Sequence, residues 1–417
     1  MYLKKIFTVI IFNALFCCGL SAQNEKWFDS NGKLLPQYLD DNGLLAEEFL
    51  PDAYEYTSIE EAIVNPERVL KLNLSEQKLS EIPSEVFMFS NIQVLDLWHN
   101  EISEIPDDIA QLTNLQYLSL NENKISVLSP SIGELKNLLM LNLGQNLLES
   151  VPDEISGLEN LGVLVLDENN LKTLPENLGL IFTLTNLSVH DNKITDFPIC
   201  SGGFMGLQTL DISSNEIQKI PANIGDCQSL IIFDAHSNKI TEIPEDMCRL
   251  SHLPYINFSD NKITQLPKSI SKMSFIQMFN LSKNQLSALP SSIGNLKILQ
   301  FLDLADNQLT VLPKALNSFS FISKLDISGN NIVKLPDLSS LSNLTDLALD
   351  GNGIEIFPAF ITKLSSLEKL SLSVNKISTL PEELYKMKAL RELNLQGNSL
   401  DDSIKEKVKK NFPFAKL

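Results

Sequence analysis

Cysteine is scarce in this 417-residue chain, which contains five, and two of them, Cys17 and Cys18, lie in an N-terminal apolar stretch. The other three, Cys200, Cys227 and Cys248, form an odd set at uneven spacing, which excludes a regular disulfide framework. One bridge between neighbouring segments stays compatible with this spacing. Three buried thiols are the interpretation that we favour.

Positive charge and aromatic residues are also in short supply. The chain has 33 Lys and Arg against 52 Asp and Glu, a formal net charge of −19, and only 7% aromatic residues. A field of that sign repels nucleic acid and anionic lipid, and no basic groove with spaced aromatics is present for single strands. The composition therefore predicts no nucleic-acid partner, whereas a protein partner remains compatible with it.

No apolar run is long enough to span a membrane as a helix. The first residues instead have the pattern of an export signal: Lys4 and Lys5 precede an apolar stretch, 6–16, and small residues lead up to Ala22. We predict a signal peptide over 1–22, cleaved near Ala22, and a mature chain that is periplasmic, secreted or at the cell surface, without an integral membrane segment. The alternative is a lipoprotein with lipid on Cys17 or Cys18, although no small residue directly precedes either.

Motifs of catalysis are missing. The sequence has no phosphate-binding glycine loop, nucleophile elbow, HExxH zinc motif or kinase signature. His190 and His236 are too far apart along the repeat described below to favour a zinc site, and a cation between Asp211 and Asp234 is less favoured than a structural role. We therefore predict no enzyme activity, no catalytic residues, no cofactor and no bound metal.

What the chain does have is an internal repeat. An asparagine recurs at thirteen intervals of 23 residues and one of 22, counted from Gln77, which holds the same position in the first copy. These residues, which we call the ladder asparagines, are Asn100, Asn123, Asn146, Asn169, Asn192, Asn215, Asn238, Asn261, Asn284, Asn307, Asn330, Asn352, Asn375 and Asn398.

Each copy carries Leu-x-Leu shortly before its asparagine, as in Leu95-Asp96-Leu97 before Asn100. Because side chains alternate along a strand, both leucines point to one face. The amide of each asparagine can then satisfy backbone groups that the stacking of coils would otherwise bury unpaired. A proline after the last leucine of most copies fixes φ and removes a donor, which favours an irregular return.

These residues resemble leucine-rich repeats of the 23-residue LxxLxLxxNxLxxLPxxIxxLxx kind, most closely the Scribble and Ras-suppressor type, and with the export signal the chain looks like a bacterial-style exported member. The resemblance covers about four-fifths of the chain. It implies an α/β solenoid, a horseshoe of about 15 coils with parallel β-strands on the concave face, irregular or short helical returns on the convex face, and helical caps at both ends.

Two predicted helices flank the repeats, and with them the chain divides into five parts. Ser58 and Glu61 form a capping box that begins a short helix, and the acidic start and basic end of 401–410 suit the macrodipole of a second helix. We predict these segments: 1–22 signal peptide, 23–57 acidic linker or arm, 58–68 N-terminal cap helix, 69–400 solenoid, and 401–417 C-terminal cap helix and tail.

The resemblance implies that partners dock on the concave strands, at the position six residues before each ladder asparagine. In many coils this position is apolar, and the stripe ends in charged residues such as Lys71 and Lys324. This apolar stripe is about nine coils long. An exposed apolar patch of that length is typical of interaction sites, although cross-strand packing would also explain the stripe. The predicted partner-binding residues, with Trp98 added as a separate aromatic candidate, are Val94, Trp98, Tyr117, Met140, Val163, Ile232, Tyr255, Met278 and Phe301.

The sequence thus predicts a non-enzymatic scaffold that binds a protein partner on its concave face outside the cytoplasm. The alternative is binding of a glycan or cell-wall polymer through Trp98, Tyr117, Tyr255 and Phe301.

Overall fold

The computed structural model describes residues 27–29, 33–198 and 203–417. Two compact units divide the chain, Met1–Leu184 and Thr185–Leu417. The predicted signal peptide, with Cys17 and Cys18, and also Cys200 lie outside the described residues. Cys227 and Cys248 are buried, and Cys248 is a free thiol.

Each unit is a ladder of short parallel strands, one per coil. The strands of the first unit are β1 Glu55–Tyr56, β2 Lys71–Asn73, β3 Val94–Asp96, β4 Tyr117–Ser119, β5 Met140–Asn142 and β6 Val163–Val165. The strands of the second unit are β7 Asn186–Ser188, β8 Thr209–Asp211, β9 Ile232–Asp234, β10 Tyr255–Asn257, β11 Met278–Asn280, β12 Phe301–Asp303, β13 Lys324–Asp326, β14 Asp346–Ala348, β15 Lys369–Ser371 and β16 Glu392–Asn394.

Most coils return through a short 3-10 helix that follows the motif proline. Pro106, for example, has φ −71° and precedes a helix at Asp107–Gln111, which Leu112 closes by donating to the Ile109 carbonyl at 3.1 Å. In the first unit 3-10 helices span Pro36–Tyr38, Glu47–Asp52, Pro66–Arg68, Ser84–Met88, Asp107–Gln111, Pro130–Glu134, Asp153–Gly157 and Glu176–Leu180. In the second they span Ala222–Asp226, Glu245–Arg249, Ile270–Lys272, Ser291–Asn295, Lys314–Ser318, Ala359–Lys363 and Glu382–Lys386.

The ladder asparagines tie each coil to its neighbours. The Nδ2 group of Asn146 donates to the carbonyls of Leu120, Leu143 and Gly144 at 2.9, 3.1 and 3.2 Å, and its Oδ1 accepts from the Ile125 amide at 2.9 Å. One buried side chain therefore bonds to four backbone groups of two neighbouring coils and is the acceptor for the Ile125 amide. This is why an amide, which carries both donors and an acceptor, suits the position. The same pattern recurs in the second unit, for example at Asn284.

The core lies between the strands and the returns. Both leucines of Leu95-Asp96-Leu97 are fully buried, as are the isoleucine and leucine that follow in the return, Ile109 and Leu112. At roughly 2 kcal/mol for each large aliphatic side chain, their burial is the main source of stability in every coil.

Short α-helices lie near both ends of the array. Helix α1, Ile59–Ala62, begins where Ser58 Oγ accepts from the Glu61 amide at 3.2 Å. Helix α2, Asp402–Asn411, begins where Asp401 Oδ1 accepts from the Ile404 amide at 2.8 Å. No helix in the described part of the chain has the length and hydrophobicity needed to cross a membrane.

The predicted fold class is confirmed: this is an α/β solenoid of leucine-rich-repeat type, and fifteen of its strands, β2 to β16, match the expected number of coils. Strand β1 is an addition, because Glu55 and Tyr56 pair in parallel with Lys71 and Leu72.

Candidate binding surface

Side chains at the first and third positions of each strand point away from the core, and we call this side the strand face. In the second unit four large apolar residues occupy the first position on successive strands. Ile232, Tyr255, Met278 and Phe301 are in direct register, each paired with the next. The structure therefore brings these four predicted residues together in one row, which we call the apolar row.

The apolar row is only partly covered. Met278 is 38% exposed, and the other three side chains are half-buried. Burial, with the charges of Asp234 and Asp211 adding to it, raises the pKa of Tyr255 to about 12. Its hydroxyl therefore stays neutral near pH 7 and can serve a ligand as donor or acceptor.

Next to Phe301 the first strand position becomes charged, as the sequence predicts. Lys324, Asp346, Lys369 and Glu392 alternate in sign on neighbouring strands, and the Lys369 Nζ lies 3.0 Å from Glu392 Oε1. These side chains border a cavity of about 440 Å³, with Phe301 at one side and Phe414 from the C-terminal tail also lining it.

The third strand position is rich in Asp and Asn, and their side chains accept hydrogen bonds from the backbone two residues on. Asp211 Oδ1 accepts from the Ser213 amide at 3.0 Å, and Asp234 Oδ1 accepts from the His236 amide at 3.1 Å. This geometry supports the structural interpretation of the column, because the carboxylates hold the turn that ends each strand. Among the described residues, no three His, Cys, Asp or Glu side chains lie close enough together to hold a metal ion.

In the first unit the strand face is covered, which corrects our expectation that the whole stripe is exposed. Val94, Tyr117 and Met140 are 0%, 3% and 1% exposed. They pack in one core cluster with Trp27, Phe28, Leu34, Leu45, Leu50 and Ala53, and Val163 lies half-buried against that cluster. The expectation was wrong for the three buried residues because strand alternation gives the direction of a side chain but not what lies over it.

The covering residues, 27–29 and 33–53, form what we call the N-terminal segment. It packs on the strand face rather than extending away as a free linker would. Trp27 makes edge contacts with Tyr38 at 5.0 Å between ring centroids, and Phe49 lies 5.4 Å from Trp27. The Tyr117 hydroxyl donates to the Glu47 carboxylate. The side-chain amide of Gln93 is oriented so that its oxygen accepts from the backbone amide of Leu45 at 2.8 Å and its nitrogen donates to the Leu45 carbonyl at 3.2 Å.

A short internal repeat explains this segment, and sequence reasoning missed it. Trp27-Phe28-Asp29 recurs as Tyr38-Leu39-Asp40 eleven residues later, and in both copies Asn-Gly follows after one further residue. Phe49-Leu50 begins a third, partial copy. The first two copies make equivalent antiparallel bonds, with Leu35 donating to Trp27 at 2.8 Å and Ala46 donating to Tyr38 at 2.9 Å. The aromatic residue that opens each copy is the one that enters the cluster.

Trp98 lies apart from these rows, where the chain leaves β3. It is half-buried, its ring is 5.6 Å from that of His99, and His99 Nδ1 lies 2.8 Å from Glu122 Oε2. The Trp98 amide donates to Asp96 Oδ1 at 2.9 Å.

Asp96 is a buried carboxylate beneath the covered face, with 6% exposure. Burial raises the pKa of Asp96 to about 6, and the nearby Glu55 carboxylate adds to the rise, against hydrogen bonds from Trp98 and Ser119 that lower it. The pKa of Glu55 is also raised by burial. On the strand face of the first unit, burial therefore favours the protonated form of these two carboxyl groups more than water does.

This arrangement predicts a pH dependence of stability. A carboxyl whose pKa is higher in the folded chain stabilises the fold fully below the unfolded value, near 4, and that contribution is lost as pH rises through about 6. Between pH 4 and 7 the parent chain should therefore lose about 2–3 kcal/mol of unfolding free energy through Asp96. The Asp96→Asn variant, which keeps the acceptor for the Trp98 amide, should not show this loss. Urea unfolding at several pH values measures this.

The exposed Asp107 provides the control, because hydrogen bonds from Ser129 and Ser131 lower the pKa of its carboxyl instead. Asp107→Asn should leave the loss between pH 4 and 7 in place. An Asp96→Asn chain with the unchanged pH profile of the parent would contradict the assignment.

Family profiles match most of the array. A profile described as leucine-rich repeat region matches residues 244–303 and 293–412, and one described as leucine rich repeat matches 67–125 and 113–171. A further leucine rich repeat profile matches 206–227. No curated protein sequence matches the chain.

Solved structures are similar over nearly the same span. A leucine-rich-repeat protein of Leptospira interrogans is 32% identical, with a TM-score of 0.78, and the match covers 87% of this chain and 99% of that one. The plant peptide hormone receptor RGFR1, solved in complex with RGF2, is 29% identical with a TM-score of 0.67, covering 84% of this chain and 62% of the receptor. The Arabidopsis receptor kinase HAESA, solved with the peptide hormone IDA and the co-receptor SERK1, is 26% identical with a TM-score of 0.68, covering 83% and 60%.

The strand ladders with their asparagines, the profile matches across both units and the Leptospira relative agree. This chain belongs to the leucine-rich repeat family.

Proposed function

We propose that this protein is a non-enzymatic scaffold that binds a protein partner on the strand face of its second unit. The observation that carries the proposal is the apolar row, in which Ile232, Tyr255, Met278 and Phe301 stand side by side on four paired strands. Aromatic and Met side chains of this kind are enriched in interface cores. Two plant receptors similar to this chain were solved with peptide hormones, which supports a peptide or protein as the partner.

The strands beyond Phe301 carry charged residues at the first position, so the proposed site has an apolar part and a charged part. Apolar side chains of the partner would lie on Tyr255, Met278 and Phe301, and its polar or charged groups would meet the alternating charges beyond Phe301. Polar rims around apolar centres have this composition in protein interfaces. We further propose that the partner is met outside the cytoplasm, because residues 1–22 have the pattern of an export signal.

The test is capture of partners from the envelope and culture medium by the mature chain, compared with the Tyr255→Ser/Phe301→Ser variant. Each large side chain at an interface centre contributes about 2 kcal/mol or more, so the double change should weaken binding at least about 100-fold. Its melting temperature should stay close to that of the parent, since both residues are already half-exposed.

Val311→Ser is a matched control, because Val311 is 62% exposed in the same unit but lies outside the apolar row. Retained capture by the double variant, or an equal loss with Val311→Ser, would exclude the apolar row as the site. Binding to glycan arrays that depends on Trp98, with no protein captured, would favour the glycan alternative instead.

A further inference from the structure

A second column of hydrogen bonds runs along the returns, nine residues before the ladder asparagine. In eight of the fifteen coils this position, which we call the donor slot, holds Asn, Thr or Ser. In seven of these eight the side chain donates to a backbone carbonyl of the preceding coil. Asn114 donates to Ser90 O at 2.8 Å and Asn137 to Thr113 O at 2.9 Å. In the second unit Ser229 donates to Met205 O and Asn343 to Ser320 O, both at 2.7 Å.

Four successive coils of the second unit depart from this rule. Their donor slots hold His252, Phe275, Ile298 and Phe321, which we call the aromatic row. Phe and Ile cannot donate a hydrogen bond, so the carbonyls that these slots serve elsewhere receive no side-chain donor from them.

None of the four side chains in the aromatic row is fully buried. Phe275 is 48% and Phe321 56% exposed, His252 is exposed, and Ile298 is half-buried. A run of four coils that gives up a structural hydrogen bond and places large apolar groups in solvent is typical of a contact surface.

The spacing of the aromatic row selects the kind of partner. The rings of His252 and Phe275 are 5.0 Å apart between centroids, tilted by 33°. An α-helix presents one apolar group per turn of about 5.4 Å along a face, which nearly matches the row, whereas same-side residues of an extended strand recur every ~6.7 Å. A helix of about three turns can therefore place one apolar side chain against each coil.

The charge of the region selects the sign of the partner. The four coils that carry the aromatic row, 239–330, contain nine basic and seven acidic residues, a local excess of positive charge in a chain with a net charge of −19. Lys272 and Lys297 lie in the same return segments as Phe275 and Ile298, and both are exposed. The Lys297 Nζ donates to the Gly294 and Ser318 carbonyls at 2.9 and 3.3 Å but pairs with no carboxylate among the described residues. Arg249 is already paired with Asp226 and Asp246, at 2.9 and 3.1 Å.

We propose that the aromatic row is a second interaction surface, distinct from the strand face, that binds an acidic amphipathic helix of a partner protein. The helix lies along the row, across the coils. Its apolar ridge packs on Phe275, Ile298 and Phe321, its acidic side chains meet Lys272 and Lys297, and hydroxyl or amide side chains can donate to the carbonyls that the donor slots leave open.

The test uses Phe275→Asn/Phe321→Asn, which restores the side chain that the donor slot holds in other coils. The probe is a fluorescein-labelled, 18-residue helical peptide with leucines at one-turn intervals and glutamates on both flanks, titrated against the mature chain by fluorescence anisotropy. We expect the parent chain to bind it at least tenfold more tightly than the double variant. The melting temperature of the variant should be unchanged or raised by up to about 2 °C, since a donor is restored.

The control variant is Val311→Asn/Val333→Asn, which removes exposed apolar groups of the same unit that lie outside the donor slots, and it should bind like the parent. Tighter binding of a peptide with lysine in place of each glutamate would overturn the proposed charge. Equal binding by parent and double variant would overturn the site. Self-association that sedimentation detects in the parent and not in the double variant would identify a second copy as the occupant and overturn the helix.

Discussion

Asn146→Ala should lower the free energy of unfolding by about 3–5 kcal/mol, although it removes only one polar side chain. The substitution takes away a side chain that is 5% exposed and bonded to four backbone groups, the Leu120, Leu143 and Gly144 carbonyls and the Ile125 amide. The buried Ile125 amide loses its acceptor, which costs about 1–3 kcal/mol. The three carbonyls keep a second donor, so each of their lost hydrogen bonds costs about 0.5–1 kcal/mol. The effect is therefore several times that of an ordinary surface amide.

Asn137 in the same coil gives the matched control. It also donates to a backbone carbonyl, Thr113 O at 2.9 Å, but through a single bond at a half-exposed position. Asn137→Ala should cost about 1 kcal/mol or less. Urea unfolding of both variants measures the difference, and equal losses would mean that the ladder asparagine contributes no more than a surface amide.

The fold could be predicted from the sequence because each coil solves the same local problem. Leu95 and Leu97 point one way by strand alternation, Asn100 supplies the amide that their turn requires, and Pro106 starts the return. These constraints are local and recur fifteen times, so no long-range information is needed to place them.

The candidate site could be predicted only in part, since exposure is not a local property. The rule that identified Tyr255 and Phe301 also identified Tyr117, which has the same strand position and the same side-chain direction. Tyr117 is buried because residues about 70 positions earlier, such as Glu47, return to lie over it. Strand alternation carries no information about that contact.

The N-terminal segment did leave a trace in the sequence, at a period that the 23-residue repeat does not share. Its eleven-residue copies are few and rich in acidic residues, which makes them resemble a linker in composition. The recurrence of Trp27, Tyr38 and Phe49 was the informative feature, because aromatic residues are rare in this chain and three at equal spacing predict a shared contact. Phe275 and Phe321 are likewise aromatic residues at equivalent positions, the donor slots of two returns.

Leu45→Asp should detach the N-terminal segment and leave the coils folded. Leu45 is fully buried in the cluster with Val94, Tyr117 and Met140, and the members of that cluster are apolar or aromatic. Placing a charge among apolar side chains costs several kcal/mol, which is comparable with the whole contribution of the one apolar cluster that holds this segment of about thirty residues. The ladder asparagines and the leucine core of the coils are untouched by the change.

Trp27 reports the outcome directly, because it is 2% exposed and the chain has only one other tryptophan, Trp98. In a Trp98→Phe background, Leu45→Asp should shift the Trp27 emission to longer wavelength and raise the rate of proteolysis within residues 33–53 at least about tenfold. The far-ultraviolet spectrum of the coils should persist, and a dye that binds apolar surface should bind to the uncovered Val94, Tyr117 and Met140.

Leu147→Asp is the matched control for this substitution, since Leu147 is 50% exposed in the same unit. It introduces the same charge without entering the cluster, so Trp27 emission and proteolysis should match the parent. If Leu45→Asp behaved in the same way, the segment would be held by contacts other than the apolar cluster. If it unfolded the coils together with the segment, the segment would be part of the cooperative core of the first unit rather than a cover over a complete strand face.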